Sequence, residues 1–426
     1  MPAALAVTGS GMVTAAGREV DATWNALCAR RGFLVPDADP ELEGFSPIAT
    51  ARCAPMDPES LGLDRRAARI AGHPTHLLFA AVSDALREAG IAPGAGAGLE
   101  DASLEDEDTA FFAALDSVDP GGGDLVSAVQ AMRRAGGGED FGGFFSEGMA
   151  QIPPLWPLAM LNPIGFSQVS IQLGLRGENG LFSPGPEAGA QAIIEAAEAV
   201  REGKARAAVA AGVGTAISAR SVARYRKQKL LRKAEGPEAE WPRPFSGRGA
   251  AALGEGAGAA VLEPLEAARS AGKPIQGVLT GWGRATALEG ADGLSGAIRE
   301  AARRAMEAVE IGPGRVCLVV THGAGTPAED EAEAEALSAV LEGHRPRALA
   351  TKGAFGHLLG ASPIVDLLLA LRALAEGEVP PSPGAGSAAR EVMDFSQGPV
   401  AAGTGAALVL SQGFGGACAA FAAEAL

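Results

Sequence analysis

Short apolar runs alternate with longer amphipathic stretches along this chain, the pattern of strands feeding helices. Leu5-Ala6-Val7-Thr8 leads into Gly9-Ser10-Gly11 and predicts a buried strand entering a Gly turn. Gly180-Leu181-Phe182-Ser183 predicts a second short strand. From Pro186 to Glu202 the apolar residues Ala192, Ile193, Ala196, Ala197 and Val200 recur at helical spacing, and Gly203 stands where a left-handed cap belongs. Ala205 to Gly212 is an apolar strand. Strand, helix and strand on short links imply a right-handed crossover and parallel pairing.

The second half repeats this style. Val316 to Val320 predicts a strand, Ala328 to Leu341 an acidic helix, Ala348 to Thr351 a strand, and His357 to Leu374 an apolar helix. Gly254-Glu255-Gly256 opens an Ala-rich strand, and Gly413-Phe414-Gly415-Gly416 opens another. Two such endings indicate an internal duplication with a boundary near residues 264–276, hence halves at 1–264 and 275–426. Pro93–Asp108 and Pro120–Gly143, rich in Gly and acidic residues, read as surface excursions, the second flanking a short helix.

Composition narrows the function. The chain has 426 residues, is 47% hydrophobic and holds 59 Gly, a globular make-up with many close backbone contacts. A net charge of −16 argues against nucleic acid. No basic region precedes an apolar stretch at the start, and no run reaches the about 18 apolar residues of a membrane span, so a cytoplasmic protein is expected. Cys28, Cys53, Cys317 and Cys418 form no C-x-x-C pair, and His73 and His76 lack a third ligand, so neither a disulfide framework nor a metal site is expected. Against the acidic average, Arg224, Arg226, Lys227, Lys229, Arg232 and Lys233 crowd together, and Arg65, Arg66 and Arg69 form a second cluster. The ordinary reading of both is a solvated helix face.

Two motifs carry chemistry. Thr321-His322-Gly323-Ala324-Gly325-Thr326 puts a His after a buried strand. Lys352-Gly353-Ala354-Phe355-Gly356-His357 puts another at an expected helix start, where the dipole favours the neutral ring. Two neutral imidazoles meeting at one point can donate hydrogen bonds to a carbonyl oxygen that becomes an enolate. Lys352 would orient the second ring or balance charge.

Through these motifs the chain resembles the β-ketoacyl synthase family. The likeness runs from Val7-Thr8-Gly9 through Ser167–Gly177, Arg243-Pro244-Phe245 and Gly254-Glu255-Gly256 to the two His motifs and Gly413-Phe414-Gly415-Gly416. It implies an α/β thiolase fold, two βαβαβαββ halves forming a five-layer αβαβα sandwich. It also implies that His322, Lys352 and His357 are catalytic, and that Phe414 gates the site and lends its N–H to an oxyanion hole. Gly415 and Thr326 would lie by that hole and the pantetheine arm. Asp330 and Glu333 match the family's acidic pair and are expected to make local salt bridges. Acyl groups would arrive on the phosphopantetheine of an acyl carrier protein, with no other cofactor. Arg65, Arg66, Arg69, Arg224 and Lys227 become candidates for docking that acidic carrier.

The departures matter as much. The family's nucleophilic Cys falls on Pro186, and no Cys lies anywhere between Cys53 and Cys317. Proline offers no attacking atom and no N–H. Ser183 lies three residues early with no adjacent base. Glu187 is either an acid favoured in the first helical turn or a carboxylate pairing with a protonated His. Ala324, Leu410 and Cys418 also depart from the family pattern. The expectation is a ketosynthase-like subunit without condensing activity, similar to a chain-length factor and paired with a Cys-containing ketosynthase or with itself. The alternatives are a malonyl-carrier-protein decarboxylase using His322 and His357, an unusual condensing enzyme, or an acyl-binding scaffold.

Overall fold

The structure, a computed structural model, describes residues 4–426 except 46–47, 64–66, 69–70, 93–108, 117–122, 134–137, 153, 155, 157–160, 229, 232–242, 248, 250, 288–289, 388 and 396–398. The first half runs β1 (Leu5–Thr14), α1 (His73–Glu88), β2 (Thr109–Leu115), α2 (Asn162–Leu173), β3 (Asn179–Phe182), α3 (Pro186–Arg201), β4 (Ala207–Gly214) and β5 (Gly256–Pro264). The second runs β6 (Gly277–Thr286), α4 (Gly290–Glu307), β7 (Val316–Val320), α5 (Pro327–Leu341), β8 (Arg347–Leu349), α6 (Ser362–Glu376), β9 (Ala406–Gln412) and β10 (Ala417–Glu424).

The strands lie in the order β3-β2-β4-β5-β1-β6-β10-β9-β7-β8, so the two halves mirror each other. In each, three parallel strands are followed by two antiparallel ones. β1 joins β6 across the middle, with Leu5 opposite Leu279. Helices α3 and α6 touch each other and strands of both halves. Their Ala, Leu and Ile side chains are buried on nearly every face, as a helix between two sheets requires. α1 covers one outer face, while α4 and α5 cover the other. This is the duplicated five-layer sandwich.

Small residues set the layer spacing. β1 continues through Gly9 and Gly11 instead of turning there. A Cβ at either would overlap the carbonyl of Ala85 or Ala81 on α1, so these glycines serve close packing, not a bend. At the centre, Gly189 of α3 and Gly212 of β4 both abut the carbonyl of Gly360. That contact presses the start of α3 against the loop carrying His357.

One boundary differs in substance. His357 is not at a helix start. Lys352–Phe355 form a single turn, Gly356 takes φ 69°, and His357 bridges to Leu253 before α6 begins at Ser362. Gly356 breaks the helix, and Pro363 is favoured in the first turn of the next one.

Candidate active site

The loop after β7 carries His322, which is 2% exposed. Two buried acids of α5 hold this loop. Glu333 accepts from the N–H of His322 at 2.7 Å and of Gly323 at 2.9 Å. Asp330 accepts from Gly325 at 3.1 Å and Phe245 at 2.6 Å. These acids therefore satisfy backbone amides; neither makes a salt bridge among the described residues, because the amides already occupy their oxygens. Burial pushes Asp330 up to about 7 and Glu333 up to about 8, against the amides that favour the ionised form.

His322 Nδ1 accepts the N–H of Gln412 at 3.2 Å. His357 Nδ1 accepts the N–H of Leu359 at 3.0 Å and lies 3.4 Å from Ser362 Oγ. A ring nitrogen that accepts an N–H is unprotonated, so each neutral ring carries its proton on Nε2. The rings meet edge to face with centroids 5.1 Å apart. Nε2 of His357 is buried with no partner among the described residues. Both rings are held well below the ordinary His range, by burial first and then by the Lys352 charge. The neutral pair follows from these causes and not from a helix dipole at His357.

Lys352 faces Asp366 of α6 at 3.4 Å, both side chains being 2% exposed. Asp366 also accepts Thr351 Oγ1 at 2.7 Å. Lys352 thus supplies a buried charge that adds to burial in disfavouring protonation of both imidazoles.

Pro186 opens α3 at its first turn and is buried. The turn before it is tied to the His357 loop by Asp116, which accepts from Gly185 at 2.8 Å and from Gly360 at 3.5 Å. Burial pushes Asp116 up to about 6. Glu187 does not pair with an imidazole. Its carboxylate lies against Gly185 and Gly413, where a Cβ on Gly413 would stand 2.5 Å from Oε2. Burial raises its pKa, while the N–H groups of Glu187 and Phe414 and the charge of Arg224 oppose the rise.

Phe414, half-buried, packs between His357 and Tyr225. Its ring is 5.7 Å from that of His357 and 5.4 Å from that of Tyr225. Tyr225 belongs to the helix Ala219–Lys227, whose Arg224 and Lys227 are exposed. Arg226 is half-buried and lies over the Phe45 ring. Gly415 follows Phe414 in the turn to β10, and Thr326, buried, stands just before α5 and donates its hydroxyl to Glu329, not to the helix start. Arg65, Arg66 and Arg69 lie outside the described residues.

Sequence reasoning missed Asp116, Tyr225, Asp366 and Gln412. Asp366 had a visible signal, an acid set within the apolar run from Ile364 to Leu371. Asp116 follows directly on an apolar strand. Gln412 acts through its backbone and Tyr225 through packing, which no residue pattern reports.

The sheet order, with the paired imidazoles at its edge loops, is that of a thiolase-type fold. The chain belongs to the β-ketoacyl synthase family. The family's N-terminal domain matches residues 3–268 and its C-terminal domain residues 283–385. It is 29% identical over 388 residues to 3-oxoacyl-[acyl-carrier-protein] synthase 2 of Vibrio harveyi, covering 88% of this chain and 87% of that one. A β-ketoacyl synthase from Burkholderia phymatum superimposes with a TM-score of 0.82 at 22% identity, over 100% of both chains. The ishigamide ketosynthase/chain length factor does so with a TM-score of 0.79 at 20% identity, also over 100% of both.

Proposed function

We propose that this chain is a ketosynthase-family subunit that no longer condenses acyl groups and works beside a cysteine-bearing ketosynthase, as a chain-length factor does. The observation that carries this reading is Pro186, buried at the first turn of α3 where the family sequence has its nucleophile. A helix start would activate a thiol there. Proline has no atom that can form an acyl-enzyme. The thioester substrates would arrive on an acyl carrier protein, the chemistry in the name of the Vibrio relative. Arg224 and Lys227 offer an exposed cationic face on the helix that packs behind Phe414.

Co-expression with a cysteine-bearing ketosynthase from the same genome should give a stable complex. Its condensing activity should persist when His322 and His357 of this chain are both replaced. A purified chain that alone takes up label from an acyl thioester at a nucleophilic side chain would sink the reading.

A second reading is favoured by the imidazole pair itself, which keeps two neutral Nε2–H donors. It is decarboxylation of a malonyl thioester. The carbon–carbon bond breaks, CO2 leaves, and the electron pair passes to the thioester oxygen as an enolate. Both Nε2–H groups would stabilise that oxygen, and a proton from water then completes the acetyl product. No nucleophile is needed. Release of CO2 from malonyl-carrier protein, with and without the partner, tests it; no release in either case excludes it.

A further inference from the structure

The face of α3 formed by Ala188, Gln191 and Ile194 looks across a gap at Ala285 of β6 and at Ala417 and Ala419 of β10. Small side chains on both walls leave a cavity of about 670 Å³, where a close-packed interior leaves few voids larger than a water molecule. Among the described residues, none of His322, Lys352, His357 and Phe414 lines it.

Two buried oxygen atoms on its wall lack partners among the described residues. Ser411, 3% exposed, leaves its Oγ without a hydrogen bond, and Glu187 leaves Oε2 without one. The Glu187 carboxylate lies against Gly413, two positions along the chain from Ser411, so both atoms stand at the same end. A buried polar atom left unsatisfied is costly, and this pair calls for a bound group that both donates and accepts. A hydroxyl does both: it donates to Glu187 Oε2 and accepts from Ser411 Oγ.

The other end is cationic. Adjacent strands β9, β10 and β6 set Ser411, Ala419 and Arg284 opposite one another in one row. Two strand spacings separate the backbones of Ser411 and Arg284 by about 10 Å. Arg284 is exposed and donates to Gln191 Oε1 across the mouth at 3.1 Å. Arg304 of α4 donates to the Arg284 carbonyl at 2.7 Å, which sets a second guanidinium beside the first. Glu300 takes one edge of Arg304 at 2.7 Å. Neighbouring guanidinium groups at a rim suit a carboxylate. We propose that this cavity binds a medium-length aliphatic hydroxy acid, its hydroxyl between Ser411 and Glu187, its chain along the alanine walls and its carboxylate on Arg284 and Arg304. The site is separate from the imidazole pair and does not depend on the function proposed above.

The test uses the full-length chain and ω-hydroxyoctanoate, whose length matches the row from Ser411 to Arg284. Titration calorimetry should show saturable binding. Arg284→Gln with Arg304→Gln should weaken it at least about tenfold, and Ser411→Ala by about threefold to tenfold. Octanoate, which lacks the hydroxyl, should bind more weakly and be insensitive to Ser411→Ala. Ala419→Leu fills the cavity and should abolish binding; Gln191→Trp, at the mouth, serves the same purpose should the leucine variant not fold. His322→Ala with His357→Ala should leave the affinity unchanged. Absence of saturable binding, octanol binding as tightly as octanoate, or affinity that survives closure of the cavity overturns the proposal. Loss of binding in the double histidine variant, with its unfolding transition intact, overturns it too, because the ligand would then sit at the imidazoles.

Discussion

Gln412 and His322 meet through a backbone N–H that donates to Nδ1 at 3.2 Å, and this contact decides which imidazole nitrogen carries the proton. With His357 held likewise by Leu359, both rings are proton donors before any ligand arrives. Both titrate well below the usual His range. Any decarboxylation they support should therefore be flat in rate from about pH 6.5 to 8.5, since neither ring changes charge there. His357→Ala should lower it about 10²–10³-fold, the usual effect of losing one such donor. A rate that rises or falls with an apparent pKa near 7, and loses that pKa in the variant, contradicts the assignment.

Breaking the Lys352–Asp366 pair should be costly. Both side chains are 2% exposed, so Lys352→Met strands a carboxylate in the core. Destabilisation of about 3–5 kcal/mol is expected in urea unfolding. Replacing both residues, as Lys352→Met with Asp366→Leu, should recover most of it. A double variant no better than the single would show that the pair's worth lies elsewhere.

Three buried acids give the fold a pH dependence of definite sign. Asp116 is pushed up to about 6, Asp330 to about 7 and Glu333 to about 8, all above their unfolded values. The native state therefore holds protons that the unfolded state has released. Stability should be greatest below about pH 4 as far as these groups are concerned, and fall as pH rises toward 8. The loss would be on the order of a few kcal/mol for each group, because a tenfold change in proton affinity is worth about 1.4 kcal/mol. Glu333→Gln should flatten the upper part of the slope. An unchanged slope in that variant would assign the dependence to other groups.

Gly189 should tolerate no side chain. A Cβ there overlaps the carbonyl of Gly360, three residues from His357. Gly189→Ala must push α3 away from the His357 loop at a cost of about 1–3 kcal/mol or more. Thermal unfolding measures the cost. A neutral substitution would mean that the layers are less tightly pressed than the backbone contact requires.

Carrier docking should respond to charge on the helix Ala219–Lys227. Arg224→Glu with Lys227→Glu should weaken binding of an acidic carrier protein at least about tenfold and reduce its salt dependence. Titration at two ionic strengths reads both effects. Unchanged affinity would move docking to another surface, the Arg65, Arg66 and Arg69 cluster being the next to test.

Much of the architecture was legible in the chain. Helical recurrence from Ala192 to Val200, the apolar run at Val316–Val320 and the two Gly-rich endings at Gly254 and Gly413 are local patterns, and local periodicity is what separates strand from helix. The identities of His322, Lys352, His357 and Phe414 were likewise readable, because motif spacing is a property of sequence. So was the proline at 186. Other features were decided only by packing. Asp116 reaches Gly360 across 244 positions of chain, and Asp330 reaches Phe245 across 85. The direction of the Glu187 side chain depends on glycines in both halves of the molecule. Backbone amides and carbonyls carry no residue label, so a sequence cannot announce which of them will hold an acid or a ring nitrogen. That choice belongs to the folded sandwich, which brings the two halves' loops to one edge and leaves each buried group to find its partner there.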